Sequence, residues 1–177
     1  HKVVFISSWI QQRFFTSFKN ADLSNSTIIP HGIKKISKIY LTNKQKNILF
    51  VGKLNHAKGY HIFADAALKF KKKNPEWNFI AIGNEARKNI FPDKKIITEI
   101  GYKKNSEVLN FYSKSEIAIG NSVWDEPLGR IAIEASSRKC LPIISNKGGL
   151  AESKNIALVL KKNTSNEIGK VEDLKNK

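Results

Sequence analysis

The sequence has one cysteine, Cys140, in 177 residues. That is too few for an intramolecular disulfide or a cysteine-rich zinc site, and it fits a reducing compartment. Methionine is absent; lacking an initiator, the chain is expected to be a piece of something longer. No apolar run approaches the ~20 residues of a membrane span. The opening Val3-Val4-Phe5-Ile6 is too short for a signal peptide and carries no cleavage pattern. Acidic residues are few, 15 against 31 Lys and Arg, leaving a net charge of +16. Arginine is scarcer still: Arg13, Arg87, Arg130 and Arg138. The common phosphate loops are missing, with no G-x-x-x-x-G-K-[ST] and no G-x-G-x-x-G after a strand. His1, His31, His56 and His61 are scattered, with no H-x-x-x-H, so neither a metal site nor a cofactor is expected.

What remains is an ordinary globular composition, 41% hydrophobic and 26% charged, of a length for about one domain with a sizeable core. The positive charge is loaded toward the front, +7 over residues 1–50 and +5 over 51–100, against +2 over 101–150. Its densest runs, Lys34-Lys35 and Lys71-Lys72-Lys73, fall at an expected linker and an expected helix end, where cations suit the helix dipole. A nucleic-acid reader combines a basic stripe with interleaved aromatics or a known module. Neither is evident, so no nucleic-acid partner is expected. A basic module for polyanions or a membrane surface remains the alternative.

From residue 47 onward, apolar runs alternate with helical periodicity. Strands are expected over 48–51, 77–82, 95–100, 116–119, 141–145 and 157–160. Helices are expected over 59–73, through Val108, Leu109 and Tyr112, and over 127–138. This alternation predicts a doubly wound, Rossmann-like α/β domain with a parallel sheet, over residues 48–165. Ligands then bind at the carboxyl ends of the strands, where the Gly-containing loops lie. Residues 1–33 read as strand, helix and strand, the tail of a preceding unit. Residues 34–47 read as a hinge, and 166–177 as the start of a C-terminal tail.

The chemistry concentrates in Asn121-Ser122-Val123-Trp124-Asp125-Glu126-Pro127-Leu128-Gly129-Arg130-Ile131-Ala132-Ile133-Glu134-Ala135. Pro127 fits the first turn of a helix, leaving the amides of Leu128, Gly129 and Arg130 as an anion site. Glu126 and Glu134 then stand about 12 Å apart along that helix. This is too far for an acid/base carboxylate pair. It suits carboxylates that grip hydroxyls at the two ends of an extended ligand such as a nucleotide-sugar. Spacing alone leaves open a plainer reading, with Asp125 or Glu126 as a helix cap and Glu134 as an exposed helix residue.

The Glu-x7-Glu element in this context resembles the retaining family-4 glycosyltransferases of the GT-B fold, the glycosyl transferases group 1 set. Three more segments fall in the family's order: Thr27-Ile28-Ile29-Pro30-His31-Gly32, Phe50-Val51-Gly52-Lys53-Leu54 with Lys58-Gly59, and Leu141-Pro142-Ile143-Ile144-Ser145 with Gly148-Gly149-Leu150-Ala151-Glu152. The resemblance implies the C-terminal, donor-binding half of a GT-B enzyme, acting on a nucleotide-sugar without a metal. Lys53 and Lys58 would contact the donor diphosphate and stabilise the leaving group. Glu126 would hold donor-sugar hydroxyls, with the amides of Leu128, Gly129 and Arg130 near sugar and phosphate. Glu134 would take the ribose, and Gly101-Tyr102 would lie near the base. The acceptor, a glycan or a lipid-linked saccharide, would bind a missing N-terminal domain together with any catalytic residue there, so the fragment alone is expected to be inactive. The implied setting is cytoplasmic, peripheral at most to the inner face of a membrane. A further alternative keeps the fold as a regulatory sugar-nucleotide binder. In four places the sequence departs from the family: Lys53 stands for arginine, Leu128 for phenylalanine and Lys139 for glycine, and Gly83-Asn84-Glu85-Ala86 lacks a second glycine.

Overall fold

The computed structural model describes residues 2–33, 43–86 and 96–170. His1, Lys34, Lys35, Arg87, Lys95, most of the hinge and the tail beyond residue 170 lie outside the described residues.

The main sheet is built from β3 (Gln45–Val51), β4 (Asn78–Ile82), β5 (Ile97–Glu99), β6 (Ser115–Gly120), β7 (Leu141–Ser145) and β8 (Leu158–Leu160). Each pair of neighbours is parallel, in the order β5-β4-β3-β6-β7-β8. This is the doubly wound arrangement, in which the winding direction reverses between β3 and β6 and opens a crevice at their carboxyl ends. Strand periodicity explains why both faces are covered. On β3, Ile48 and Phe50 enter one core with Phe63, Phe70, Trp77 and Phe79, while Leu49 enters the other with Val108, Tyr112, Ala135 and Cys140. Helix α2 (Tyr60–Lys71) covers the first face; α3 (Asn105–Lys114) and α4 (Ile131–Ser136) cover the second. Lys44 Nζ donates to the carbonyls of Tyr112, Ser115 and Arg138 at 2.8–2.9 Å. It thereby fixes the ends of α3 and α4 to each other.

A small first unit has its own two-stranded sheet and packs against the segment Gly148–Asn155: β1 (Val3–Phe5), α1 (Ser8–Ser17) and β2 (Ser26–Ile28), with β1 and β2 parallel. A short α5 (Ser165–Ile168) packs against α2.

Two expectations need correction. Residues 45–47, assigned to the hinge, are the first of β3; Asn47 is buried there, its amide bonded to Gln45 and its carbonyl oxygen accepting from Asn78. The helix expected from 127 to 138 is confined to Ile131–Ser136. Gly129 at φ +76° is left-handed backbone that interrupts any right-handed helix begun at Pro127. The amides of Leu128, Gly129 and Arg130 therefore belong to a loop, and the helical spacing inferred between Glu126 and Glu134 does not apply. At the other end, Lys139 takes the left-handed position past α4 (φ 55°), with Cys140 N donating to Ala135 O at 3.0 Å. That conformation is why glycine is the favoured residue there.

Candidate functional site

The loop after β3 turns one lysine inward and leaves another outside. Asn55 is the pivot: its side-chain oxygen accepts from Lys58 N at 3.1 Å and its amide donates to Glu85 at 2.7 Å. Gly59 closes the turn at φ +76°, where a Cβ would lie 2.1 Å from the Asn121 carbonyl oxygen. Only glycine permits so close a contact. Asn121 Nδ2 donates to Gly59 O at 2.8 Å, and the N–H groups of Val123 and Trp124 donate to Ala57 O at 2.9 and 3.3 Å. The loops after β3 and β6 are thus joined by backbone and side chain.

This junction brings Lys58 Nζ to 2.5 Å from Glu126 Oε1. The same oxygen accepts a short bond from the buried Ser122 hydroxyl. Gly149 N donates to Glu126 O at 2.7 Å, and Ser7 Oγ to Pro127 O at 2.5 Å, so the turn is held from the first unit as well. Eight residues on, Glu134 is only 8% exposed. Its Oε1 receives Arg130 NH2 at 2.8 Å and Asn105 Nδ2 at 3.0 Å. A carboxylate this buried is held by its partners, which excludes the reading of Glu134 as a solvated helix residue.

Gly52, Lys58, Glu126, Gly129, Arg130 and Glu134 all line one cavity of about 160 Å³ at the carboxyl ends of β3 and β6. Five of the nine residues singled out in the sequence thus converge at the switch point. Four do not line it: Lys53 is exposed, Leu128 is buried, and Gly101 and the 73% exposed Tyr102 follow β5, two strands away. Ser122 and Trp124 were given no role from the sequence, though both lie in the stretch singled out there, and Asn105 was passed over. Ser122, four residues before Glu126, was within local reach; Asn105 meets Glu134 only through tertiary packing.

Two cations and two carboxylates face each other here in pairs, so the lining is polar and close to neutral in sum. Burial raises the hydroxyl of Tyr112, which lines the cavity, well above its ordinary value, and pushes the Cys140 thiol in the core behind it up to about 12. His56 and His61, expected to be scattered, stack with ring centroids 3.5 Å apart, His56 on the loop that carries Lys58 and His61 in the first turn of α2. Burial, and then the neighbouring His56, holds His61 below the ordinary imidazole value.

The family model of the glycosyl transferases group 1 matches residues 32–155. The chain belongs to this family. Among curated relatives of this group 1 chain, spore coat protein SA of Bacillus subtilis is 30% identical over 121 residues, 61% of the chain and 32% of that protein. A glycosyltransferase from Rickettsia africae superposes with TM-score 0.78 at 23% identity, covering 98% of the chain and 52% of that structure. Anabaena HepE, solved with UDP and glucose, gives TM-score 0.74 at 16% identity, 96% of the chain and 52% of its own. The chain therefore spans about a third of the curated relative and half of each solved structure. Its fold is the C-terminal half of the GT-B architecture.

Proposed function

We propose that this chain is the donor-binding half of a retaining, metal-independent glycosyltransferase that moves a hexosyl unit from a nucleoside-diphosphate sugar to a saccharide acceptor. The observation that carries this reading is the convergence of Lys58, Glu126, Arg130 and Glu134 on one cavity at the switch point. In the reaction, the bond between the anomeric carbon and the diphosphate oxygen breaks, and a bond to an acceptor hydroxyl forms on the same face. The acceptor's proton leaves, and the nucleoside diphosphate departs with an added negative charge. Lys58 lies where that charge develops, and a preorganised cation in a sheltered site favours departure more than ground-state binding. Lys53, five residues earlier on the same loop, adds a cation from the solvent side. Glu126 holds hydroxyls of the transferred sugar, the loop amides of Leu128, Gly129 and Arg130 face sugar and phosphate, and Glu134 holds the ribose. Gly101 and Tyr102 flank the base.

In this reading residues 1–33 finish an acceptor-binding domain, 34–44 form the hinge, 45–165 form the donor domain from the start of β3, and 166–177 begin the tail. Its support is the small β1–β2 sheet, which leaves Val3, Val4, Ile28 and Ile29 exposed. Parallel sheets are ordinarily covered on both faces. The acceptor proposed by family analogy is a cell-surface glycan, made at the cytoplasmic face of a membrane. Among the described residues, no helix is long and apolar enough to cross one. Alone, the 177-residue chain binds donor weakly and does not turn over.

Equilibrium dialysis of UDP and GDP against the chain, Lys58→Ala and Glu134→Gln tests the site. At least tenfold weaker binding by both variants is expected. Equal binding by all three overturns the assignment.

A further inference from the structure

Trp124 is 47% exposed and Val123 beside it 41% exposed, yet this is no loose tip. Both N–H groups are fixed on Ala57 O, and the preceding Asn121 is buried and bonded to Gly59. The indole therefore presents a large aromatic surface to water from a pinned backbone, ready to pack on a ligand. Its position says what it meets. Lys58 Nζ stands 5.3 Å from the centre of the indole and 2.5 Å from Glu126, so the indole flanks the cation that lines the cavity. In the donor reading this is the sugar end, because Glu134 and the ribose mark the other. A nucleobase stacking on Trp124 would therefore sit at the wrong end. A pyranose ring fits the chemistry: its flat face of C–H bonds lies on an indole, and its rim of hydroxyls reaches a neighbouring ammonium and carboxylate.

We propose that Trp124 is a stacking platform for a pyranose ring at the mouth of the cavity. This rests on the donor reading above. The ring comes from the transferred sugar of the donor or from an acceptor saccharide.

The test labels the 177-residue chain with 5-fluorotryptophan, which reports Trp9, Trp77 and Trp124 by 19F NMR; Trp124→Phe assigns the third signal. UDP is titrated first. One arm then uses UDP-glucose, UDP-galactose and UDP-N-acetylglucosamine. The other adds methyl glycosides of glucose, galactose, mannose and N-acetylglucosamine to the UDP-saturated chain. The expected result is a Trp124 shift, beyond that of UDP alone, in one arm, which identifies the source of the ring. Trp124→Ala lowers affinity for that saccharide about tenfold relative to UDP, and Trp124→Phe restores most of it. UDP binding with no further Trp124 shift in either arm, and an unchanged ratio in Trp124→Ala, overturns the platform and leaves the donor reading standing. Failure of both UDP and GDP to bind overturns both.

Discussion

Lys58 Nζ and Glu126 Oε1 meet at 2.5 Å across 68 residues of chain, with the Ser122 hydroxyl on the same carboxylate oxygen. Each is therefore occupied by the other before any ligand arrives. A diphosphate that takes Lys58 must separate the pair, and a sugar hydroxyl that donates to Glu126 must replace its cation. Donor binding in this account is an exchange of partners, with little net gain in charge contacts.

That exchange makes the two variants differ. Glu126→Ala releases Lys58, so UDP affinity is expected to rise a few-fold while UDP-sugar affinity falls. Lys58→Ala weakens both by about tenfold or more, since charge-assisted hydrogen bonds contribute roughly 1.5–3 kcal/mol. Calorimetric titration of both ligands checks this; parallel losses in the two variants would count against it.

Lys139 occupies left-handed backbone with φ 55° and is exposed to solvent. Lys139→Gly is therefore expected to stabilise the chain by about 1 kcal/mol. The thermal midpoint should rise by roughly 2–4 °C for a domain of this size. An unchanged or lowered midpoint in calorimetry contradicts the strain.

Glu152 accepts from Trp9 N at 2.7 Å and Ser8 N at 3.2 Å, closing the first turn of α1. Glu152→Ala removes this cap and its charge from the positive end of the helix, at about 1 kcal/mol. Hydrogen exchange at the amides of Ser8 and Trp9 should accelerate severalfold, with the β3 amides unchanged. Uniform acceleration would mean general destabilisation instead.

His61 is held below its ordinary value, first by burial and then by stacked His56. The unfolded chain therefore binds its proton more readily than the folded one. The contribution of neutral His61 is fully present above about pH 6.5 and is lost as pH falls below it. Urea midpoints should decline from pH 7.5 to 5.5 in the parent chain, and decline less in His61→Gln. Equal slopes would remove the effect.

Much of the fold was legible because β3, β4, β6 and β7 are short apolar runs ended by Gly or turn residues, and because α2 repeats its apolar residues at Phe63, Ala66, Ala67 and Phe70. The start of α4 was not. Pro127 followed by a periodic run looks like a helix start, and only the backbone conformation of Gly129 shows that the chain bends first. The sequence treats Lys53 and Lys58 alike, as basic residues after one strand. Asn55 and Gly59 fold the loop so that Lys58 alone lines the cavity. Glu126 and Glu134 were found by their eight-residue spacing, yet they share the cavity through a loop and a short helix, not along one helical face. His56 and His61 gave no pairing signal, since the fold of the loop back onto the first turn of α2, and no helical period, stacks their rings.

The most direct measurement is a crystal structure of the chain with a UDP-sugar bound. The account predicts the diphosphate within hydrogen-bonding distance of Lys58 Nζ, the Lys58–Glu126 pair opened, and the ribose hydroxyls on Glu134. A nucleotide bound elsewhere, with Lys58 and Glu126 still joined, would contradict it.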